Sequence, residues 1–219
     1  QKPRSAAAVA QAGARVIRLS KAAFDRMQGG GGAAGMSVLF AMIRTSSERI
    51  RRLSAQLVVY DEVGKAIGES DDLQTLLDVI VRQISMGTRA DWGWILLRSQ
   101  FSDRLELRSQ VNVSLTPSQS EAVADARGFI GLVLKNPQDL LVGSFAEQEP
   151  FQSCARLGFE PASLLVSPIA VEGQLLGLIM LGGNERNQFD LNALNLARGI
   201  ARQAGQAILN ARHREEQQA

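Results

Sequence analysis

Apolar residues recur every three or four positions between about residues 34 and 68, the repeat of a helix that pairs with another helix. Eight of the ten positions on this heptad seam are apolar, compared with 45% of the whole chain. The seam consists of Met36, Leu39, Ile43, Ser46, Ile50, Leu53, Leu57, Tyr60, Gly64 and Ile67. We predict a long helix that pairs two copies of the chain, since the segment exceeds ordinary domain helices in length. Alternatively, the same stripe packs on its own domain.

The following residues alternate between helical and strand patterns. Helices are predicted over residues 71–86 with Ser70 as their cap, over 117–135 with a break near 127–128, over 147–157 and from 191 past 212. Strands are predicted at 94–97, 105–113, 140–142, 163–171 and 174–181. Glu172-Gly173 is a strong signal for a two-residue hairpin turn between the last two strands. This order predicts an α+β domain, an antiparallel sheet flanked by helices.

The last predicted helix is rich in alanine, which permits close approach of another helix. The alanines stand at positions 193, 197, 201, 204, 207 and 211. We expect them to extend the heptad seam into a four-helix bundle between two chains.

In front of the long helix, residues 5–20 have the pattern of two short strands. Ser20 is a suitable cap for a short helix over Lys21–Met27. Four consecutive glycines, Gly29–Gly32, break that helix, because glycine is costly inside a helix. The chain therefore begins with a small β-hairpin and helix.

The net charge of +2 conceals an asymmetry. Residues 1–60 carry 10 Lys and Arg against 2 Asp and Glu, and residues 61–219 carry 14 against 20. A basic segment can attract nucleic acid. However, no aromatic residue interleaves Arg44, Arg49, Arg51 and Arg52, as a nucleic-acid platform requires. We interpret these arginines as the solvated face of a helix.

Several classes of protein are disfavoured by composition. The chain has no run of 18 uncharged apolar residues, so we expect no membrane-spanning helix. One Cys and one His leave no intrachain disulfide and too few ligands for most zinc sites. We expect a cytoplasmic protein without a metal.

Residues 57–211 resemble a GAF domain over its whole length. The resemblance is carried by an ordered set of stretches: Ala90-Asp91-Trp92-Gly93-Trp94, Gly128-Phe129-Ile130-Gly131, Pro150-Phe151, Leu164–Ile169, Gln174–Ile179 and Phe189. It implies a small-molecule pocket between the sheet and the segment from about residue 128 to 166. The polar candidates in that pocket are Arg127, Ser144, Gln152, Ser153 and Arg156.

GAF domains that bind cyclic nucleotides carry an Asn-Lys…Phe…Asp-Glu signature, whose Lys and Asp form an ion pair. The matching positions here are Asn184, Glu185, Phe189, Asn192 and Ala193, so both partners of that pair are missing. We therefore expect no cyclic nucleotide in this domain. Asn184 is expected to cap a turn and Phe189 to fill the core.

The resemblance also raises the question of whether Cys154 has a chemical role. Bilin-binding GAF domains place their Cys directly before a His, whereas Ala155 follows Cys154, so we expect no covalent bilin. Free-methionine-sulfoxide reductases of this fold need more than one thiol for their redox cycle. A Cys154–His213 nucleophilic pair is also not expected, because His213 lies in a polar terminal tail. We interpret Cys154 as structural and predict no enzymatic activity.

The amino terminus resembles the end of a cyclic-nucleotide-binding domain. Pro3-Arg4-Ser5-Ala6 is similar to the close of its phosphate-binding cassette, and Ala14–Phe24 is similar to the strand and capped helix that follow. The resemblance implies that Arg4 pairs with the cyclic phosphate and that Ser5 hydrogen-bonds it. The alternative is that Arg4 is an exposed terminal charge. The cassette's Gly-Glu half would precede residue 1, so we expect no nucleotide binding at Arg4 in this chain.

These observations predict four parts: a cyclic-nucleotide-binding remnant (1–33), a connecting helix (34–68), a GAF domain (57–212) and a polar tail (213–219). The predicted function is a regulatory small-molecule-binding module that relays ligand occupancy through a homodimer. The GAF ligand is not identified, and a cyclic nucleotide is expected for the upstream domain. The alternatives are a structural dimerisation module with an unoccupied pocket, or part of a DNA-binding regulator.

Overall fold

The computed structural model describes residues 15, 20–29, 33–70, 72–100, 102, 104–125, 129–144 and 161–218. The chain separates into two compact units, Gln1–Arg52 and Leu53–Ala219. The described helices are α1 (Lys21–Gly29), α2 (Ala33–Glu69), α3 (Leu73–Thr88), α4 (Pro117–Ala124), α5 (Phe129–Lys135) and α6 (Leu191–Gln218). The described strands are β1 (Trp92–Arg98), β2 (Leu105–Val111), β3 (Leu140–Val142), β4 (Ser163–Val171) and β5 (Gln174–Gly183).

α1 begins at the predicted cap. Ser20 Oγ accepts a hydrogen bond from the Ala23 amide at 3.2 Å, and the Ser20 carbonyl accepts one from the Phe24 amide at 3.0 Å. The helix continues to Gly29, two residues beyond the prediction. The two strands predicted before Ser20 lie outside the described residues, except for Arg15.

α2 confirms the predicted long helix, with 37 residues in one continuous element. Five of the apolar side chains on the heptad seam before residue 58 are between 51% and 68% exposed. They are Met36, Ile43, Ile50, Leu53 and Leu57. This part of the seam is therefore open to solvent within the chain.

The last turns of α2 belong to the core of the second unit. Val59 and Val63 are 5% and 0% exposed. Tyr60 and Ile67, which the seam assigned to a partner helix, pack against the same core. At these two positions the chain's own core contacts the seam, as the alternative expected. The reason is geometric, because an α-helix of 3.6 residues per turn drifts relative to a heptad repeat.

Asp72 rather than the predicted Ser70 caps α3. The Asp72 carboxylate accepts hydrogen bonds from the Thr75 amide at 2.8 Å and from the Gln74 amide at 3.3 Å. Hydrogen bonding from the Thr75 hydroxyl, and then from these amides, holds the pKa of Asp72 below its usual value. Ser70 stands two residues too early to reach the free amides of the first turn.

The five strands form one antiparallel sheet in the order β2-β1-β5-β4-β3. The predicted hairpin at Glu172-Gly173 joins β4 and β5, and both residues have positive φ, 51° and 84°, as a two-residue hairpin turn requires. β3 pairs with residues 164–166 alone, so the rest of β4 has no described strand neighbour on that side. The sheet and its flanking helices confirm the predicted α+β fold.

One face of the sheet is covered by the end of α2, by α3 and by α6. The alanines of α6 face this core: Ala193, Ala197, Ala201, Ala204, Ala207 and Ala211. The prediction that they extend the seam between two chains is therefore wrong. Their small side chains instead bring α6 close to the sheet, where a Cβ added to Gly205 would lie 2.9 Å from Val171 Cγ2. Within the described residues, every helix is too short or too polar to serve as a transmembrane span.

Candidate functional site

The second face of the sheet carries both tryptophans of the chain. Trp92 and Trp94 flank Gly93 on β1, so their side chains point to the same face. The ring centroids are 4.5 Å apart and the ring planes are tilted by 38°. Trp94 Nε1 donates a hydrogen bond to the Val113 carbonyl at 2.9 Å. A Cβ added to Gly182 would lie 1.9 Å from Trp92 Cε2, so the indole occupies the space that only glycine leaves open.

Apolar side chains from the sheet, α4 and α5 surround this tryptophan pair. They belong to Leu96, Leu105, Val123, Ile130, Val133, Val142, Leu164, Val166, Leu178 and Met180. Trp94 is 0% exposed and Trp92 is 5% exposed, so the face is closed in this structure. Chemically, such a surface suits a flat apolar or aromatic molecule, which gains by stacking on indole rings.

A polar network fixes the loop between β5 and α6 at the end of this face. Asp91 Oδ2 accepts hydrogen bonds from the Asn184 amide at 2.7 Å and from Gln188 Nε2 at 3.0 Å. Ser163 Oγ, which is buried, donates to the Glu185 carbonyl at 2.7 Å. The loop is thereby tied to the starts of β1 and β4.

The residues at the positions of the cyclic-nucleotide signature make structural contacts in this fold. Phe189 is 5% exposed and fills the helical core, as predicted. Asn192 Nδ2 donates to Asp190 Oδ2 at 3.1 Å, while Asp190 Oδ1 accepts from the Ala193 amide at 2.9 Å and caps α6. Asn184 contributes its backbone amide to the loop network. These contacts explain the signature residues without a ligand.

Of the predicted pocket residues, the structure describes Ser144. It is half-buried and directly follows Gly143, whose carbonyl accepts the Asn187 amide at 2.7 Å. It therefore lies near the loop that follows β5. The remaining predicted site residues lie outside the described part of the chain: Arg4, Ser5, Arg127, Gln152, Ser153 and Arg156, as does Cys154.

A separate cleft of about 320 Å³ lies at the edge of β4. Its lining comes from the segment before β3, from β4 and from α6: Pro137, Gln138, Asp139, Pro168, Ala170, Arg198 and Arg202. The sequence does not indicate this cleft, because three distant segments form it without a local motif. The spacing of Arg198 and Arg202, one helical turn apart, was the single signal in the sequence.

Among the residues that the structure describes, no three His, Cys, Asp or Glu side chains are arranged to hold a metal ion.

Comparisons with known proteins agree on the fold. A family model for the GAF domain matches residues 72–208. No curated protein sequence matches the chain. The GAF domain of a phosphoenolpyruvate-protein phosphotransferase from Acinetobacter is similar, with 19% identity, a TM-score of 0.60, and coverage of 74% of this chain and 97% of that one.

Two further structures extend this comparison. The GAF domain of the Coxiella burnetii phosphoenolpyruvate-protein phosphotransferase has 17% identity and a TM-score of 0.64, covering 74% of this chain and 98% of that one. The free methionine-R-sulfoxide reductase of Neisseria meningitidis has 15% identity and a TM-score of 0.58, covering 72% of this chain and 92% of that one. At such identities the likeness concerns the fold, which serves enzymes as well as domains of other proteins.

Proposed function

Because the chain belongs to the GAF domain family, we propose that it is a sensory module that binds a small molecule and relays its occupancy through a helical dimer. GAF domains occur in signalling proteins such as kinases and phosphotransferases, and they often bind small molecules. One observation carries the proposal. α2 is a single helix whose last turns belong to the GAF core, whereas its earlier apolar seam is exposed. A rearrangement of the core therefore acts directly on the helix.

The proposed ligand lies against the tryptophan pair and presents a flat apolar or aromatic group to it. Polar contacts would come from the predicted pocket residues Arg127, Ser144, Gln152, Ser153 and Arg156. Because the tryptophans are almost fully buried, binding requires the covering elements to move, and this movement is the event that the helix transmits. We assign no catalytic step, since the chain has one Cys and reductase chemistry of this fold needs more than one thiol.

Intrinsic fluorescence tests the proposed ligand face. The chain has two tryptophans, and both lie on this face, so their emission reports on it alone. A panel of heteroaromatic and apolar small molecules is titrated into the protein, with thermal stability as a second readout. At least one compound should give a saturable change in emission and raise the melting temperature. Emission that stays constant across the panel would contradict the sensory proposal.

The proposed occupant of the exposed seam is a second copy of the chain. Large apolar residues at heptad spacing rarely face water over many turns, and the matching seam of an identical helix has the same spacing. Light scattering should report a dimer for the unmutated protein at tens of micromolar. Leu53→Asp, on the seam, should shift it to monomer, whereas Ser54→Asp, its exposed neighbour, should leave it dimeric. A monomeric unmutated protein excludes the relay.

The second candidate function is a structural dimerisation module whose GAF pocket is unoccupied by any ligand, because the protein's own side chains fill it. The complete burial of Trp94 favours it. It makes the same prediction for light scattering but predicts no saturable change in fluorescence. The two candidates are therefore separated by the titration and not by the oligomeric state.

For the amino terminus we propose that Arg4 and Ser5 contact a cyclic phosphate in an intact upstream cassette. Residues 1–219 should bind neither cyclic AMP nor cyclic GMP by calorimetry. A protein extended upstream should bind one of them, and Arg4→Ala should weaken binding by about 30-fold to several thousand-fold, since losing one partner of a charge pair costs about 2–5 kcal/mol. Equal affinity with and without Arg4 would overturn this assignment.

A further inference from the structure

We propose that the cleft between α6 and the edge of β4 binds a small organic carboxylate, at a site separate from the tryptophan face. The cleft has a volume of about 320 Å³, which falls within the roughly 300–1,000 Å³ of small-molecule sites. Two arginines and one aspartate provide its charges, and two prolines and an alanine provide apolar surface.

Arg198 is held in place by a chain of hydrogen bonds. Ser167 is 1% exposed, and its Oγ donates to Asp139 Oδ1 at 2.6 Å. Asp139 Oδ2 accepts from Arg198 Nε at 2.5 Å. The Asp139 carboxylate therefore occupies the Nε side of the Arg198 guanidinium group. Arg198 Nη1 donates a hydrogen bond to Asn195 Oδ1 at 3.3 Å. Within the described residues no partner contacts Nη2, so this nitrogen of the positioned guanidinium is available to a ligand.

Arg202 lies one turn further along α6 and is exposed. Within the described part of the chain, no carboxylate forms a salt bridge with it. Like charges four residues apart on a helix repel each other, and Asp139 compensates one of the two arginines. The cleft therefore carries one positive charge in excess, which an anion would neutralise.

The excess of a single charge favours a carboxylate over a phosphate group. A guanidinium group donates two parallel hydrogen bonds to the two oxygens of a carboxylate. A doubly charged phosphate would instead face the Asp139 carboxylate with uncompensated negative charge. The apolar surface of Pro137, Pro168 and Ala170 suits a short hydrocarbon chain attached to the carboxylate.

The open edge of β4 is unsuited to an added peptide strand. Pro168 pairs with Leu178 of β5 and has no amide proton, so its nitrogen must face away from β5 and toward the open edge. An incoming strand would find no donor at that point, which is a common protection of sheet edges. The occupant is therefore a compact molecule rather than an extended chain.

Side-chain NMR of the full chain labelled with ¹⁵N-arginine tests the proposal. The probes are butanoate, the neutral butanamide, inorganic phosphate and a short acidic peptide. Butanoate should shift the Nε signals of Arg198 and Arg202 saturably, with a dissociation constant on the order of 1 mM. Arg202→Gln should weaken this binding about tenfold or more, because a charged donor is lost. The control is Arg82→Gln, at an exposed arginine on α3, which should bind butanoate unchanged.

Retained melting temperature in both variants shows that the fold is intact, and Ala170→Glu gives an independent check by placing a competing carboxylate in the cleft. The proposal is overturned if butanamide shifts the signals as butanoate does, if phosphate or the peptide binds more tightly than butanoate, or if Arg202→Gln binds butanoate normally. None of these outcomes depends on the fluorescence of the tryptophan face.

Discussion

Two stretches of α2, residues 36–57 and residues 59–67, both carry apolar side chains but meet different surroundings. Leu53 and Leu57 are 60% and 68% exposed, whereas Val59 and Val63 are 5% and 0% exposed. In the second stretch, Tyr60 Oη donates to the Asn195 carbonyl at 3.4 Å, and at the end of the first stretch Gln56 Nε2 donates to the Asn192 carbonyl at 3.3 Å. Val59 and Val63 stand beside the heptad seam and not on it, because a helix of 3.6 residues per turn drifts relative to a repeat of seven. An apolar heptad therefore indicates a helix with an apolar face, but it identifies neither the residues that are buried nor the partner that buries them.

The difference also assigns the two stretches different roles. The buried stretch fixes the helix to α3 and α6, since a Cβ added to Gly87 of α3 would lie 2.8 Å from Val59 Cγ2 and 2.9 Å from Leu196 Cδ2. Val59 and Leu196 therefore pack directly over Gly87, and such packing transmits displacement because protein interiors are nearly incompressible. In the proposed relay, the exposed stretch would respond by changing its pairing with a second copy of the chain.

The largest expected effect is a loss of stability on substituting Val63, compared with Val58 on the same helix. Val63→Asp places an unpaired charge in the core and should lower the free energy of unfolding by about 4 kcal/mol or more. Val58→Asp, at a position that is 59% exposed, should change it by no more than about 0.5 kcal/mol. Urea denaturation followed by circular dichroism measures both. Equal losses in the two variants would contradict the division of α2 into an anchored and an exposed stretch.

A smaller loss is expected where α2 and α3 meet. Gly87→Ala adds a methyl group between Val59 and Leu196, and overpacking of this kind costs about 1–3 kcal/mol. Alanine recovers about 1 kcal/mol of helix propensity, so the net loss should be about 1 kcal/mol. The melting temperature measures it, and Gly87→Ala should also perturb the α2 resonances near Val59. An unchanged or raised melting temperature would show that the contact is loose.

The same substitution on the exposed side of α2 should have the opposite sign. Gly64 has no atom within 4 Å of a would-be Cβ, so Gly64→Ala should stabilise the fold by about 0.5–1 kcal/mol through helix propensity. Measuring the dimer dissociation constant together with the melting temperature sharpens the result. Weaker dimerisation in a more stable protomer would place the partner helix directly against Gly64.

Most of the fold follows from periodicity, because a repeat of 3.6 or 2 residues records which side chains are buried. The predicted face of α3, with Leu76, Leu77 and Ile80, is fully buried, and Glu172-Gly173 forms the expected turn. The sequence favours Ser70 as the cap of α3, whereas the structure uses Asp72. Several polar residues in a row each satisfy the capping pattern, and only the backbone geometry selects one of them.

The candidate sites were less predictable. Trp92 and Trp94 were recognised as family residues, but their stacking depends on Gly182, about 90 residues away in the chain and brought close by strand pairing. The chain of bonds from Ser167 through Asp139 to Arg198 joins three elements that no local pattern connects. Tertiary contacts of this kind carry no periodic signal, so the sequence predicts the scaffold better than the chemistry placed on it.

The smallest effect concerns Tyr60, the single tyrosine of the chain, at the start of the anchored stretch. Burial raises the pKa of Tyr60 above its usual value of 10.0, and the positive charge of Arg202 acts in the opposite direction. The folded protein therefore holds the phenol proton more tightly than the unfolded chain does. The resulting stabilisation is complete below pH 10 and is lost as the pH rises through the folded pKa.

Ultraviolet absorbance of tyrosinate reads this titration directly, because no second tyrosine contributes. In the folded protein, Tyr60 should ionise at a higher pH than in denaturant, and Arg202→Gln should raise its pKa further by removing the opposing charge. Arg82→Gln, at an exposed arginine on α3, should leave the titration unchanged. If Tyr60 ionised in the folded protein at the same pH as in denaturant, the effect of burial would not exceed that of the Arg202 charge, which would contradict this prediction.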